Sequence, residues 1–540
     1  MKKFRVAAVF SDGCVLQRGK TVCIFGEGKD GALVSATLSS ENGTVLAEND
    51  SIVKDGKWRV FLPPVSACEG CTLAVSCESD DAEECGGISF SDVAVGEVWL
   101  AGGQSNMEFE LRNCAEGPEE LAKMNDTAQS VRVRYYYTPK NSFFSPRFYE
   151  QEDASHWTKW GDSLCSENGS CATWSAVAYF CAKRLSQALG VTVGIIGCNW
   201  GGTSASAWIP RARLQEDVHL SSYLDDYERA VSGKSLEQQC DEFESYSIQR
   251  ERWLEKAKTN PPEQLEPDPW PGPMGCHNPC RPCGLYDCLV SRVMPYTMKG
   301  FLYYQGESDD HKPHTYDRLL ATLISQWRSD WGDRTMPFVI VQLPEHRDAN
   351  REDSHSWCVI RQAQQHVWQT VRNTVLVPAL GLGAYDNIHP VHKKELGERI
   401  CAALLYDVYR QKGAAFALPP VACNALRSGS KVILTVAHAG AGLTFRTDAV
   451  RLEHYRDMEA RQGHAVPDDF TGMEVCASDG VYHPATAEYV QGCSDGVVLL
   501  AVTAENVTRP TGIRYGWYNY GPVTWFGVNG LPLLPFLLSC

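Results

Sequence analysis

An α/β chain, with a parallel sheet between two β-rich ends, is what this sequence predicts, and three observations carry that reading. Short alternating apolar runs separated by Gly, Asp and Asn turns fill residues 1–95. Apolar strands alternate with helical segments over residues 96–411, the pattern of a parallel sheet covered on both faces. Beyond residue 412 the chain returns to β patterning.

Each region rests on particular segments. In the first, Val22-Cys-Ile-Phe25, Val34-Ser-Ala-Thr-Leu38 and Trp58-Arg-Val-Phe-Leu62 predict an N-terminal β-sandwich domain. In the second, strands are predicted at Val95 to Leu100, Val191 to Gly197, Lys299 to Tyr304 and Pro337 to Leu343. Residues 217–258 are strongly charged at helical spacing and lack Pro, so they predict an inserted helical pair. The Pro-rich stretch from Pro261 to Pro282 predicts an irregular loop, and Lys393 to Arg410 a helix. In the third, Lys431 to Val436 and Gly496 to Val502 predict strands of a C-terminal β-rich region packing with the parallel-sheet core.

Composition narrows the function. Sixty-six acidic against fifty basic side chains leave a net charge of −16, which repels phosphate backbones and argues against nucleic-acid partners. No stretch reaches the ~18 unbroken apolar residues of a membrane span, and no secretory leader is recognisable at Met1, so no membrane association and a cytoplasmic location are expected. Twenty-two cysteines are scattered along the chain. Two groups raise the question of zinc: Cys68, Cys71, Cys77 and Cys85, then Cys276, Cys280, Cys283 and Cys288. Only Cys68-x-x-Cys71 and Cys280-x-x-Cys283 have paired spacing, and ordinary reduced thiols are the expectation.

The chemistry concentrates at strand ends. Val98-Trp-Leu-Ala-Gly-Gly-Gln-Ser-Asn-Met107 is an apolar strand running into a glycine turn, which would push Ser105 into a cleft at the carboxyl edge of a parallel sheet. A second strand ends in Cys198-Asn-Trp-Gly-Gly-Thr-Ser204 and a third in Gln305-Gly-Glu-Ser-Asp309. Asp386-Asn-Ile-His389-Pro390 precedes a helix, and a carboxylate three residues from an imidazole can orient Nδ1–H while Nε2 faces a nucleophile. Alone, each segment also fits a glycine cap, a loop-bound amide or a surface histidine; together they point to one crevice.

With these blocks in order, the sequence resembles the sialate O-acetylesterase group of the SGNH hydrolases. Gly103-Gln-Ser-Asn-Met107, Trp200-Gly-Gly-Thr203 with Trp208, Tyr304-Gln-Gly-Glu-Ser308 and Asp386-x-x-His389-Pro390 are similar to the family's four catalytic blocks. Phe10 to Arg18 and Asp55-Gly-Lys-Trp58 resemble its N-terminal β-domain, and Arg514-Tyr-Gly-Trp517, Gly530-Leu-Pro532 and Pro535-Phe536 its closing β-segment. Asp309 stands where an Asn often follows the serine, and Tyr303 where a Trp is expected. The resemblance implies a flavodoxin-like three-layer core and removal of O-acetyl groups from sugars, sialic acids first and acetylxylan-derived sugars as the alternative. It assigns Ser105 as nucleophile, His389 as base and Asp386 as its orienting carboxylate. Ser105, Gly202 and Gln305 would form the oxyanion hole, supported by Gln104, Asn106 and Glu307, with Arg361 as the expected partner of Glu307. It implies no metal or cofactor, and a small O-acetylated sugar as partner; a homodimer is compatible with the sequence.

Two competing readings remain. Gly492-Cys-Ser-Asp-Gly496 matches the nucleophile-elbow pattern Gly-x-Ser-x-Gly, but Val497 to Val502 after it is an apolar β-run where a helix is needed, so a hairpin turn is expected. A carbohydrate-binding protein using some of the 15 tryptophans as sugar platforms would need no Ser105, Asp386 and His389.

Overall fold

The computed structural model describes residues 4–540 apart from 79–85, 125–130, 146–147, 162–170, 262–263, 349–350 and 493–495, so Cys85 and Ser494 lie outside the described residues. The fold is mixed α/β with several sheets. Two compact units are present, one of Met1–Asn113, Gly117–Ser308 and Arg318–Met336, the other of Cys114–Glu116, Asp309–Asp317 and Pro337–Cys540.

The first unit is organised by one long strand, Gly86–Gly103, of 18 residues. Its first half pairs antiparallel with Cys68–Glu78, which in turn pairs with Leu33–Ser39. Its second half is parallel to Val193–Asn199 on one side and Gly300–Tyr304 on the other. It thus crosses residue 95, the expected domain boundary, without a break. Val93, Val98, Leu100 and Ala101 are fully buried, and burial on both faces is why the run is continuously apolar where antiparallel strands alternate. Val133–Tyr137, not recognised from sequence, adds a further parallel strand beside Val193–Asn199. The expected inserted helices are Ser221–Ala230 and Leu236–Ala257; Ser235 and Gln238 form a reciprocal capping box at the start of the second.

In the second unit, Phe338–Gln342 and Thr374–Pro378 run parallel, and the helix Ser356–Thr370 lies between them in sequence, as a parallel crossover requires. The Lys394–Ala403 helix follows. Two four-stranded antiparallel sheets come next, one ordered Val421–Ser428, Lys431–Ala437, Val498–Thr503, Thr486–Gly492. Alternate residues Val432, Leu434, Val436, Val498, Leu500 and Val502 turn inward to a shared core. Thr486–Gly492 and Val498–Thr503 are antiparallel neighbours, and the hairpin turn expected between them falls on 493–495, outside the described residues. Among the described residues, no helix is long and apolar enough to cross a membrane.

Candidate active site

In the first unit the parallel register aligns three strand ends. Gly103 lies opposite both Asn199 and Tyr304, so the turns that follow all leave the same sheet edge. Gly103 has φ +130, and a Cβ there would sit 2.1 Å from the Tyr304 carbonyl oxygen, so only glycine fits between these strands. Immediately beyond, Ser105 is half-buried and opens the helical turn Ser105–Glu108.

Amide side chains and backbone bonds tie the three turns together. The Gly103 carbonyl accepts from the Trp200 N–H at 3.0 Å, and the Gln104 N–H donates to the Tyr304 carbonyl at 3.1 Å. Gln104 Oε1 accepts from the N–H groups of Gly306 and Ser308 at 3.4 and 3.1 Å. Buried Asn106 donates through Nδ2 to Glu307 Oε1 at 2.7 Å. Gln305 Nε2 donates to the Thr203 carbonyl at 3.2 Å, which fixes the plane of its amide. All of these side chains except that of Ser105 are fully or nearly buried, so their bonds form out of competition with water.

The Trp200–Gly202 turn lies against the serine: a Cβ on Gly201 would be 3.2 Å from Ser105 Cβ. Glu108 accepts the Gly201 N–H at 2.6 Å, whereas among the described residues the Gly202 N–H makes no hydrogen bond. Gly202 has φ +72, a Cβ there would meet Trp270 Nε1 at 2.7 Å, and its carbonyl accepts from Cys280 Sγ at 3.2 Å. Glu108 and Trp270 escaped the sequence reading, which weighed Cys280 only as a thiol or zinc ligand; a carboxylate three residues after Ser105 on the same helical turn was the available signal for Glu108.

The second unit carries the Asp386–His389 turn. Asp386 is exposed and left-handed at φ +54, and an isolated bridge joins Ala384 to Asn387. His389 is half-buried; its N–H donates to Asn387 Oδ1 at 2.9 Å. The stem of this turn is held by a pair the sequence did not reveal. Buried Glu345 accepts the N–H groups of Gly381 and Gly383, and Arg451 binds Glu345 while donating to the carbonyls of the same two glycines at 2.8 and 2.9 Å. Tyr385 stacks on His454 at 4.2 Å. His346, also unrecognised, has its imidazole held below the usual value mainly by burial; His389 pushes the same way, and Asp348 and Asp386 oppose. His392, another candidate imidazole near the turn, pairs through Nδ1 with Glu116 at 2.9 Å.

One expectation is corrected. Arg361 does not serve Glu307. Its buried guanidinium donates to the backbone carbonyls of Leu343, Pro344, Tyr518 and Asn519 at 2.7–3.2 Å, while Glu307 takes Asn106 as partner. A buried arginine is satisfied as well by convergent carbonyls as by a carboxylate, so charge alone did not predict its partner. The second cysteine group also divides: Cys276 faces Cys240, and Cys280 faces the Gly202 carbonyl.

Known proteins are similar to this chain. Residues 280–406 match a family model described as a carbohydrate esterase, sialic acid-specific acetylesterase. Sialate O-acetylesterase of Mus musculus is 25% identical over 464 residues, covering 80% of this chain and 79% of the mouse protein. The Homo sapiens sialate O-acetylesterase is 25% identical over 445 residues, covering 77% of this chain and 73% of its own. The chain is similar to the sialate O-acetylesterases. It is a carboxylic-ester hydrolase. A carbohydrate acetylesterase from Xanthomonas citri shares the fold, with a TM-score of 0.71 at 24% identity over 99% of both chains.

Proposed function

We propose that this esterase removes O-acetyl groups from sugars, sialic acids first among them, through a serine acetyl-enzyme on an SGNH-type three-layer core flanked by β-rich regions. The observation that carries the reading is the position of Ser105: a half-buried residue on the first helical turn after a parallel strand, against Gly201 of the turn whose next N–H, that of Gly202, makes no hydrogen bond among the described residues. Ser105 Oγ attacks the acetyl carbonyl, His389 accepts its proton and returns it to the departing sugar hydroxyl, and Asp386 orients the imidazole. The N–H groups of Ser105 and Gly202 and the Gln305 amide face the oxygen as it gains charge, and water then releases acetate. A cavity of about 630 Å³ lined by Glu108, Arg112, Tyr137, Lys140 and Trp174 meets the Ser105 turn at Glu108, and Ser105, Gly202 and Gln305 are not among its lining residues. Arg112 and Lys140 there pair with Glu110 and Glu108, and a carboxylated sugar would compete for the same cations.

Acetate release across O-acetylated sialic acids, acetylated xylo-oligosaccharides and acetylated amino sugars tests the substrate. The highest kcat/KM is expected on a sialic acid, and a preference for acetylated xylose would transfer the assignment. Turnover of p-nitrophenyl acetate that survives a serine-directed phosphonate would remove the acetyl-enzyme.

A further inference from the structure

The structure brings Cys240, on the helix Leu236–Ala257, to Cys276 and His277 of the Pro-rich loop, three residues that the esterase reaction does not use. Their ligand atoms all lie within 4.8 Å of one another, and the two sulfurs are 3.8 Å apart. Two thiolates on ~2.3 Å bonds to one tetrahedral zinc are separated by ~3.8 Å. A disulfide would need ~2.05 Å. The spacing is too long for a disulfide and lets both sulfurs reach one metal ion.

The surroundings orient all three. The Cys276 N–H donates to Gln239 Oε1 at 3.0 Å, joining the loop to the residue beside Cys240. The His277 ring lies between Phe243, stacked at 5.0 Å, and Phe143 at 4.5 Å.

We propose that Cys240, Cys276 and His277 form a binding site for one soft divalent metal ion of the zinc class. Binding releases the two thiol protons and leaves a Cys2His site that clamps the loop to the helix. The same loop carries Trp270 and Cys280 against Gly202, so the metal would be structural for that turn.

The test uses the full chain, reduced and metal-stripped, titrated with Co2+ and then Zn2+. Expected is one tightly bound ion, thiolate-to-cobalt charge-transfer absorption displaced by zinc, and a higher Tm with metal bound. Cys240→Ser and Cys276→Ser should each remove the absorption, and His277→Gln should weaken binding. Replacing Cys68 and Cys71, whose sulfurs are 3.4 Å apart, should change nothing. No bound ion in the wild type, binding that survives the Cys240 and Cys276 variants, or a Cys240–Cys276 disulfide in the purified protein by peptide mass mapping would overturn the proposal. Cys240 is half-exposed on its helix, so Cys240→Ser keeps the test decisive should the buried Cys276 variant fail to fold. None of these readouts depends on esterase activity.

Discussion

The turn that bears Ser105 and the turn that bears Asp386 and His389 are held in different ways. Around Ser105 the splints are neutral amides: Gln104 on two backbone N–H groups, Asn106 on Glu307, Gln305 on the Thr203 carbonyl. At the stem of the Asp386 turn the splint is ionic, with Glu345 and Arg451 gripping Gly381 and Gly383 from both sides. Neutral buried amides can be removed at the cost of their hydrogen bonds, ~1–3 kcal/mol for the groups left unpaired. A buried ion pair that loses one partner leaves a charge behind, and ~3–5 kcal/mol is typical. The proposed nucleophile is thus mounted on the more forgiving support, and the proposed base on the more brittle one.

That contrast can be broken at several points. Ser105→Ala should abolish acetate release, with kcat down by about 10⁴-fold or more and an unchanged circular dichroism spectrum. Turnover above about a thousandth of wild type in the folded variant would remove Ser105 from the reaction. Asp386→Asn should fold normally, because its side chain is exposed, and lose about 10³- to 10⁴-fold in kcat through the wrong imidazole tautomer. Full activity there would shift attention to His346.

Glu345→Gln keeps an acceptor for the glycine N–H groups but strands Arg451. Asp448, 3.1 Å from Arg451 and half-exposed, offsets part of that charge, so a loss of about 3 kcal/mol in urea unfolding is expected. A loss no larger than that of Gln104→Ala would erase the distinction between the two supports. Gln305→Ala should lower kcat by about 10²- to 10³-fold with KM nearly unchanged, as for an oxyanion donor. A raised KM with unchanged kcat would make Gln305 a substrate contact. Ser494→Ala should leave kcat/KM where it is, because the strands on either side of it in sequence are antiparallel neighbours; a large loss would relocate the nucleophile.

Much of this was readable in the chain. The three strand ends are visible because continuous apolar runs stop at Gly-Gly and Gln-Gly pairs, and the local chemistry agrees with the tertiary outcome. Val133–Tyr137 was hidden because Arg134 interrupts its apolar run; the guanidinium is 7% exposed and satisfied by Asp92 and the Gly13 carbonyl, partners far away in sequence. Glu345 and Arg451 lie 106 residues apart, and Cys240 and Cys276 lie 36 apart on different elements, so no spacing rule joins them. The same limit explains Arg361: residue type shows that a buried charge needs acceptors, and only the folded backbone decides which.

The strand Gly86–Gly103 has a consequence for how mutations spread. Side chains on a strand alternate with a period of two, so a one-residue slip exchanges its two faces along the whole length. Here the antiparallel pairing of Cys77 with Gly86 and the parallel pairing of Asn199 with Gly103 gauge the same strand from opposite ends. The bulges opposite, around Cys71, absorb the mismatch between the two ladders. Inserting a single residue between Val93 and Val98 would force one ladder out of phase, delivering Gly103 or its neighbour to the wrong partner. The distant N-terminal sheet therefore works as a ruler, and an indel far from any reacting atom could put Ser105 out of register without touching it.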